Sequence, residues 1–209
     1  MSTFRLVLPF LPVGAALFCI QLDFFSLSLA LPAIAADLGR TPTDLQWLVS
    51  GYLLALGSFL IPAGRAGDVV GRRTVLVAGV ALFGLTSLVC GLASSVPLLI
   101  GARIAQGVGA ALIMPTAFAL VTNATDEAVR PRVTGALLGI AGIGTALGPV
   151  VGGVLASTAG WRWVFLLNVP VAAVAIWRAW RLEDSRDESA PHSLRGLDWW
   201  GVVTVVGGL

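Results

Sequence analysis

Six stretches of this chain are each long and apolar enough to cross a lipid bilayer, and nothing else constrains its fold as strongly. They are Leu11–Ala35, Leu45–Pro62, Thr74–Leu92, Pro97–Val121, Val133–Ser157 and Val164–Trp180. A membrane-crossing helix needs about 20 mostly apolar residues. The runs are continuous and show no ten-residue alternation, which indicates helices and not a barrel. A seventh run of 11 residues opens at Trp199 and reaches Leu209. Composition agrees: 57% of the 209 residues are apolar and 11% are charged, against roughly 25% charged in an ordinary soluble domain. A water-soluble globule, a disordered tail and a nucleic-acid binder are thereby excluded. The net charge is only +2, carried by 13 arginines and no lysine with no basic block, so counterion release has little to act on.

The first run is not a signal peptide. It is too long, it contains Asp23 and Pro32, and no small-residue cleavage site follows it. Arginine placement then orients the chain. With the N-terminus in the cytoplasm, Arg5, Arg65, Arg72, Arg73, Arg130, Arg132, Arg178, Arg181, Arg186 and Arg195 face inward, and only Arg40 and Arg162 face out. Trp47, Trp161 and Trp163 mark one interface, and Trp177, Trp180 and Trp199 the other. The hydrophilic stretch Glu183–Asp198 reads as a cytoplasmic linker. Cys19 and Cys90 lie inside apolar runs, too few for a disulfide scaffold and badly spaced for zinc.

Two charges stand where lipid should be. Asp23 lies near the middle of the first run, flanked by Gln21 and Ser26. A charge at mid-bilayer costs about 3 kcal/mol on insertion scales, so it must face a water-filled cavity or a partner. Its functional reading is a proton or cation site; its structural reading is a partner that orients the first helix. Arg103 lies in the fourth run with Gln106 one turn later. Arginine stays charged and needs an acceptor; it serves either in coupling or as a plain ion pair. In the fifth run, Gly135 and Gly139 precede Gly142, Gly144, Gly148, Pro149, Gly152 and Gly153. Glycines at this spacing let another helix approach closely, and Pro149 removes a backbone hydrogen bond. Between the second and third runs, Gly64, Arg65, Gly67, Asp68, Gly71, Arg72 and Arg73 read as a tight glycine-permitted reversal. It acts as a latch between helices, with anion binding as the other reading. It lacks the Lys-Ser/Thr of a phosphate loop.

These segments carry a resemblance. Gly64–Arg73 resembles motif A of the major facilitator superfamily, and Arg103-Ile-Ala-Gln106-Gly107-Val-Gly109 resembles its motif B. Gly144-xxx-Gly148-Pro149-xx-Gly152-Gly153 resembles motif C, the antiporter motif. Leu22-Asp23 through Pro32, Gly160 through Asn168-Val-Pro170, and Leu197-Asp198-Trp-Trp-Gly201 resemble the first-, sixth- and seventh-helix motifs of the fourteen-helix drug:proton antiporter branch. Two details depart. Val69 stands where motif A usually carries a basic residue, and Phe24-Phe25-Ser26-Leu27 replaces the usual Thr-Ile-Val-Asn.

The resemblance implies an all-α membrane protein with the superfamily's six-helix N-terminal bundle, a 3+3 inverted repeat, and the start of a seventh helix. The divisions are 1–181 for the bundle, 182–198 for the linker and 199–209 for helix seven. It implies a proton-coupled secondary transporter, exporting drugs or hydrophobic compounds by alternating access across a bacterial inner membrane. Asp23, Arg103 and Gln106 would couple protons and substrate. Gly64, Asp68, Gly71, Arg72 and Arg73 would form an inner gate. Of the antiporter motif Gly144, Gly148, Pro149, Gly152 and Gly153, the last four would face a missing C-terminal bundle or a second copy. Rival readings are a metabolite transporter of the same superfamily and a truncated, non-transporting half-bundle. An enzyme reading fails on inventory. The only histidine, His192, is in the linker, no H-E-x-x-H occurs, and no metal or cofactor set is present.

Overall fold

The computed structural model describes residues 3–182 and Asp184. Its helices are α1 (Thr3–Val7), α2 (Leu11–Asp37), α3 (Trp47–Val70), α4 (Arg72–Leu92), α5 (Val96–Ala124), α6 (Arg130–Thr158), α7 (Arg162–Leu166) and α8 (Asn168–Ala179). Short 3-10 turns at Leu8–Phe10 and Pro42–Leu45 precede α2 and α3. The second turn is held by a reciprocal cap between Thr41 and Asp44. Among the described residues there is no strand, and six spans are long enough to cross a membrane. The linker after Asp184 and the seventh run lie outside the described residues.

Helix α2 lies along α6, α5 sits between α3 and α4, and α7–α8 closes onto α4 and α2. Exchanging the first three spans for the last three swaps the α2–α6 contact with the α5–α3 contact and maps the α4–α8 contact onto itself. That is the pairing of a 3+3 inverted repeat. The core comes in two slabs. One gathers Val13, Leu17 and Ile20 with Val80, Phe83, Ile113, Leu120 and Ala172. The other gathers Leu27, Ile34, Leu48, Cys90, Leu99 and Phe165. Buried polar residues lie between them: Asp23 and Ser26 on α2, Ser87 on α4, Arg103 and Gln106 on α5, and Asn168 on α8.

The motif A segment is not a loop. Helix α3 runs on to Val70, and the chain turns at Gly71 alone, at φ 120° and ψ 129°. The other glycines serve packing: a Cβ on Gly67 would lie 2.8 Å from Thr116 Cγ2, and one on Gly64 would touch Pro115. Arg72 donates to Asp68 Oδ1 from Nη2 at 2.7 Å and from Nε at 3.2 Å. Asp184, which the sequence places in the solvated linker, instead caps α4. Its Oδ1 accepts from the Arg73 backbone N–H at 2.9 Å, and its Oδ2 accepts from Thr74 Oγ1 at 3.0 Å. Arg73 Nη1 donates to the Leu182 carbonyl at 2.8 Å, and its guanidinium lies 5.9 Å from the Trp180 ring centre.

A Cβ on Gly71 would fall 2.6 Å from Asp184 Oδ2. Gly71→Ala is therefore expected to lower stability by about 1–3 kcal/mol, since both the φ and the space are wrong for alanine. Asp184→Ala is expected to cost about 1 kcal/mol as a lost cap. The double variant should cost less than the sum, because truncating Asp184 makes the room that the new methyl group lacks. Unfolding of the purified bundle measures all three.

At the other end, Asp37 Oδ2 accepts from Arg162 Nη1 at 2.8 Å and from Trp161 Nε1 at 3.1 Å. Arg162 Nη2 also reaches the Ala93 carbonyl at 3.3 Å. Trp161 is 3% exposed and packs in the second slab, whereas Trp47 and Trp163 are exposed.

Candidate functional site

The polar layer between the slabs is one connected network. A charge there has no water to solvate it, so each polar atom must find a partner inside the protein. Asp23 and Arg103 each have no exposed surface and pair directly, Arg103 Nη1 to Asp23 Oδ2 at 2.5 Å. The same Nη1 donates to Gln106 Oε1 at 2.7 Å, and Arg103 Nε donates to the Leu48 carbonyl at 3.0 Å. Gln106 Nε2 turns the other way, donating to Ser87 Oγ at 2.8 Å and to Asp23 Oδ1 at 3.2 Å. Asn168 Nδ2 adds a second donor to Asp23 Oδ1 at 3.0 Å. The guanidinium lies 4.3 Å from the Tyr52 ring centre, a cation–π contact strengthened by the burial of both groups. Five helices, α2, α3, α4, α5 and α8, therefore meet at one ion pair.

Local sequence explains the approach. Gly107 and Gly109 lie beside Gln106, and a Cβ on Gly107 would overlap the Tyr52 carbonyl, while one on Gly109 would lie 2.9 Å from the Phe83 nitrogen. The missing side chains let α3 and α4 close on α5 at the level of the charges. Asn168 opens α8 just where α7 ends, with Leu167 between them, so its side chain reaches the interior at the one break in the sixth span.

Of the two readings of Asp23, the structure shows the partner: its carboxylate pairs with Arg103 and has no exposed surface. Gly148 and Gly152 of motif C, expected to face a missing bundle, meet a helix of this one instead. Gly144, Gly148 and Gly152 are buried against α2. A Cβ on Gly144 would lie 2.7 Å from the Phe18 carbonyl, and one on Gly152 would overlap the Ser26 backbone. Ser26 Oγ donates to the Gly148 carbonyl at 2.9 Å, and Gln21 Nε2 to Thr145 Oγ1 at 3.0 Å. The reason is periodic: residues four apart share one helix face, and this face meets α2. Pro149 and Gly153 are half-buried beside it. Gly135, Gly139 and Gly142 have open space around them instead.

The Major Facilitator Superfamily model matches residues 13–204. The chain belongs to the major facilitator superfamily. Among relatives of this major facilitator bundle, the tetracenomycin C resistance and export protein of Streptomyces glaucescens is 38% identical over 95% of this chain and 37% of its own length. The cephamycin export protein CmcT of Amycolatopsis lactamdurans is 39% identical over 92% and 40%. The multidrug resistance protein Stp of Mycobacterium tuberculosis is 40% identical over 82% and 32%. The chain thus spans between 32% and 40% of these relatives' lengths. An inward-open structure of the xylose transporter XylE from E. coli superposes with a TM-score of 0.72 at 16% identity, over 99% of this chain and 53% of that one. That likeness shows the fold. The superfamily is one of transporters, and the six spans make this a multi-pass membrane protein.

Sequence reasoning found Asp23, Arg103 and Gln106 in this major facilitator bundle but missed Asn168, Ser87 and Tyr52 as parts of the same network. A polar residue directly before Val-Pro at the start of a span was the one available signal for Asn168.

Proposed function

We propose that this bundle is half of a proton-coupled exporter of hydrophobic, toxic small molecules. It works by alternating access against a second bundle, in an inner membrane with its N-terminus in the cytoplasm. One observation carries the reading: a protonatable carboxylate, buried to zero exposure, is the counter-ion of a buried arginine that ties several helices together. Protonating Asp23 removes the charge that holds Arg103. The free energy of the closed layer then changes with proton binding, which is what coupling requires. The names of the relatives, an antibiotic export protein and a multidrug resistance protein among them, support export and the substrate class.

Orientation rests on the ends. Helix α1, the turn after α5 and the end of α8 border one cavity of 460 Å³ lined by Arg5, Thr125, Asp126 and Arg181. Arg73 joins the end of α8 through Leu182 and Asp184. The inner gate then consists of Gly64, Asp68, Gly71, Arg72 and Arg73. In cells expressing this bundle with its second half, accumulation of a lipophilic fluorescent dye is expected to fall at least several-fold and to recover when a protonophore is added. Dye export that persists after the proton gradient is collapsed overturns the coupling.

A further inference from the structure

Asp23 is crowded with donors. Its Oδ1 accepts from Gln106 Nε2 and Asn168 Nδ2, and its Oδ2 accepts from Arg103 Nη1. This arrangement suits a carboxylate. A carboxylic acid at the same place has an O–H that must itself find an acceptor, because a buried hydroxyl without one is costly. The acceptors near Asp23 are nearly all engaged. Gln106 Oε1 already takes Arg103 Nη1, and Ser87 Oγ takes Gln106 Nε2. Asn168 Oδ1 is different: it is buried, has no partner, and belongs to the amide whose other end already touches Asp23.

We propose that Asn168 is a positioning residue that reads the proton on Asp23 by turning its amide. With Asp23 ionised, Nδ2 donates to Oδ1. When a proton from water binds the carboxylate, the Asn168 amide rotates by half a turn and Oδ1 accepts the new O–H. One side chain thereby satisfies both protonation states. Because Asn168 begins α8 at the break in the sixth span, the turn is passed to the helix that closes on α4 and α2. The inference rests on the reading of Asp23 as the proton site. The other titratable or charged groups that face Asp23 are Arg103 on α5, Tyr52 on α3, Cys90 on α4 and Cys19 on its own helix. Tyr52 Oη also lacks a partner and is the rival acceptor.

The chain has only two asparagines, Asn123 and Asn168, which makes the switch observable without altering it. The full chain carrying Asn123→Gln, grown with asparagine labelled at the side-chain carbonyl carbon, reports Asn168 alone by infrared spectroscopy in lipid nanodiscs across pH. The Asp23 carboxylic-acid band, identified by its loss in Asp23→Asn, is expected to rise as pH falls. The labelled Asn168 carbonyl band should drop in frequency with the same midpoint, since an accepting carbonyl is weakened. Tyr52→Phe should leave that linked shift in place. An Asp23 band that titrates while the Asn168 band stays fixed overturns the role of Asn168 and leaves the proton site standing, as does loss of the linked shift in Tyr52→Phe. Absence of any Asp23 acid band over the range in which the protein stays folded overturns the proton site itself, and this inference with it.

Discussion

Asp23→Leu is expected to destabilise the bundle by about 3–5 kcal/mol and to abolish proton-driven export. The cost follows from what remains. Arg103 stays charged at any workable pH, is fully buried, and keeps the Leu48 carbonyl, Gln106 Oε1 and the Tyr52 and Phe165 rings as partners, with no carboxylate among them. Breaking a buried ion pair from one side carries a penalty of about this size, whereas replacing both partners by apolar groups is often near neutral. Asp23→Leu combined with Arg103→Met is therefore expected to recover most of the lost stability, with a shortfall of about 1–3 kcal/mol for the hydrogen bonds that Gln106 and Asn168 lose. Export should not recover, because the double variant has no group left to carry the proton. Unfolding in detergent micelles and dye export in cells measure the two effects separately. A double variant still driven by the proton gradient would remove the basis of the proposed coupling. A single variant as stable as the parent would show that the pair is not a desolvated contact.

The second large effect is expected at Gly152. Its position allows the α6 backbone to rest on the α2 backbone at Ser26, and an added Cβ would overlap main-chain atoms that no side-chain rotation can move. Gly152→Val is expected to cost about 3 kcal/mol or more, at the upper end of the overpacking range. Gly153→Ala is the control. Its Cβ would meet only Leu29 Cδ1, at 3.6 Å, an ordinary contact. It should change stability by about 0.5 kcal/mol at most, as should Gly139→Ala, which has nothing within 4 Å. Comparable unfolding midpoints for Gly152→Val and Gly153→Ala would contradict the close approach of the two helices.

The fold was legible because hydropathy alone marks spans: a run of apolar residues has no other stable use at such length. The charged members of the site were legible for the complementary reason, that Asp23 and Arg103 interrupt those runs at a cost. Their contact was not legible, since it depends on which faces of α2 and α5 turn toward each other, and these helices are apolar almost all round. That Gly144, Gly148 and Gly152 of motif C pack on α2 was not legible for the same reason. Motif A misled differently. Glycines clustered in the neighbourhood of a reversal suggest a loop, but only Gly71 has a backbone that needs glycine, while Gly67 is small so that Thr116 can fit beside it. Asn168 stayed hidden because a single amide at the start of a span is ordinary in sequence and becomes informative only when its two ends are traced.

The two hydrophobic slabs are joined through a thin hydrophilic waist. Aliphatic substitutions in either slab leave the ionic lock in register, because its hydrogen bonds run among its own polar side chains and to the Leu48 main-chain carbonyl; Tyr52 and Phe165, whose rings lie against the guanidinium, are the exceptions. The aliphatic residues towards either membrane face are thus free to vary while the charged layer at the centre is kept unaltered.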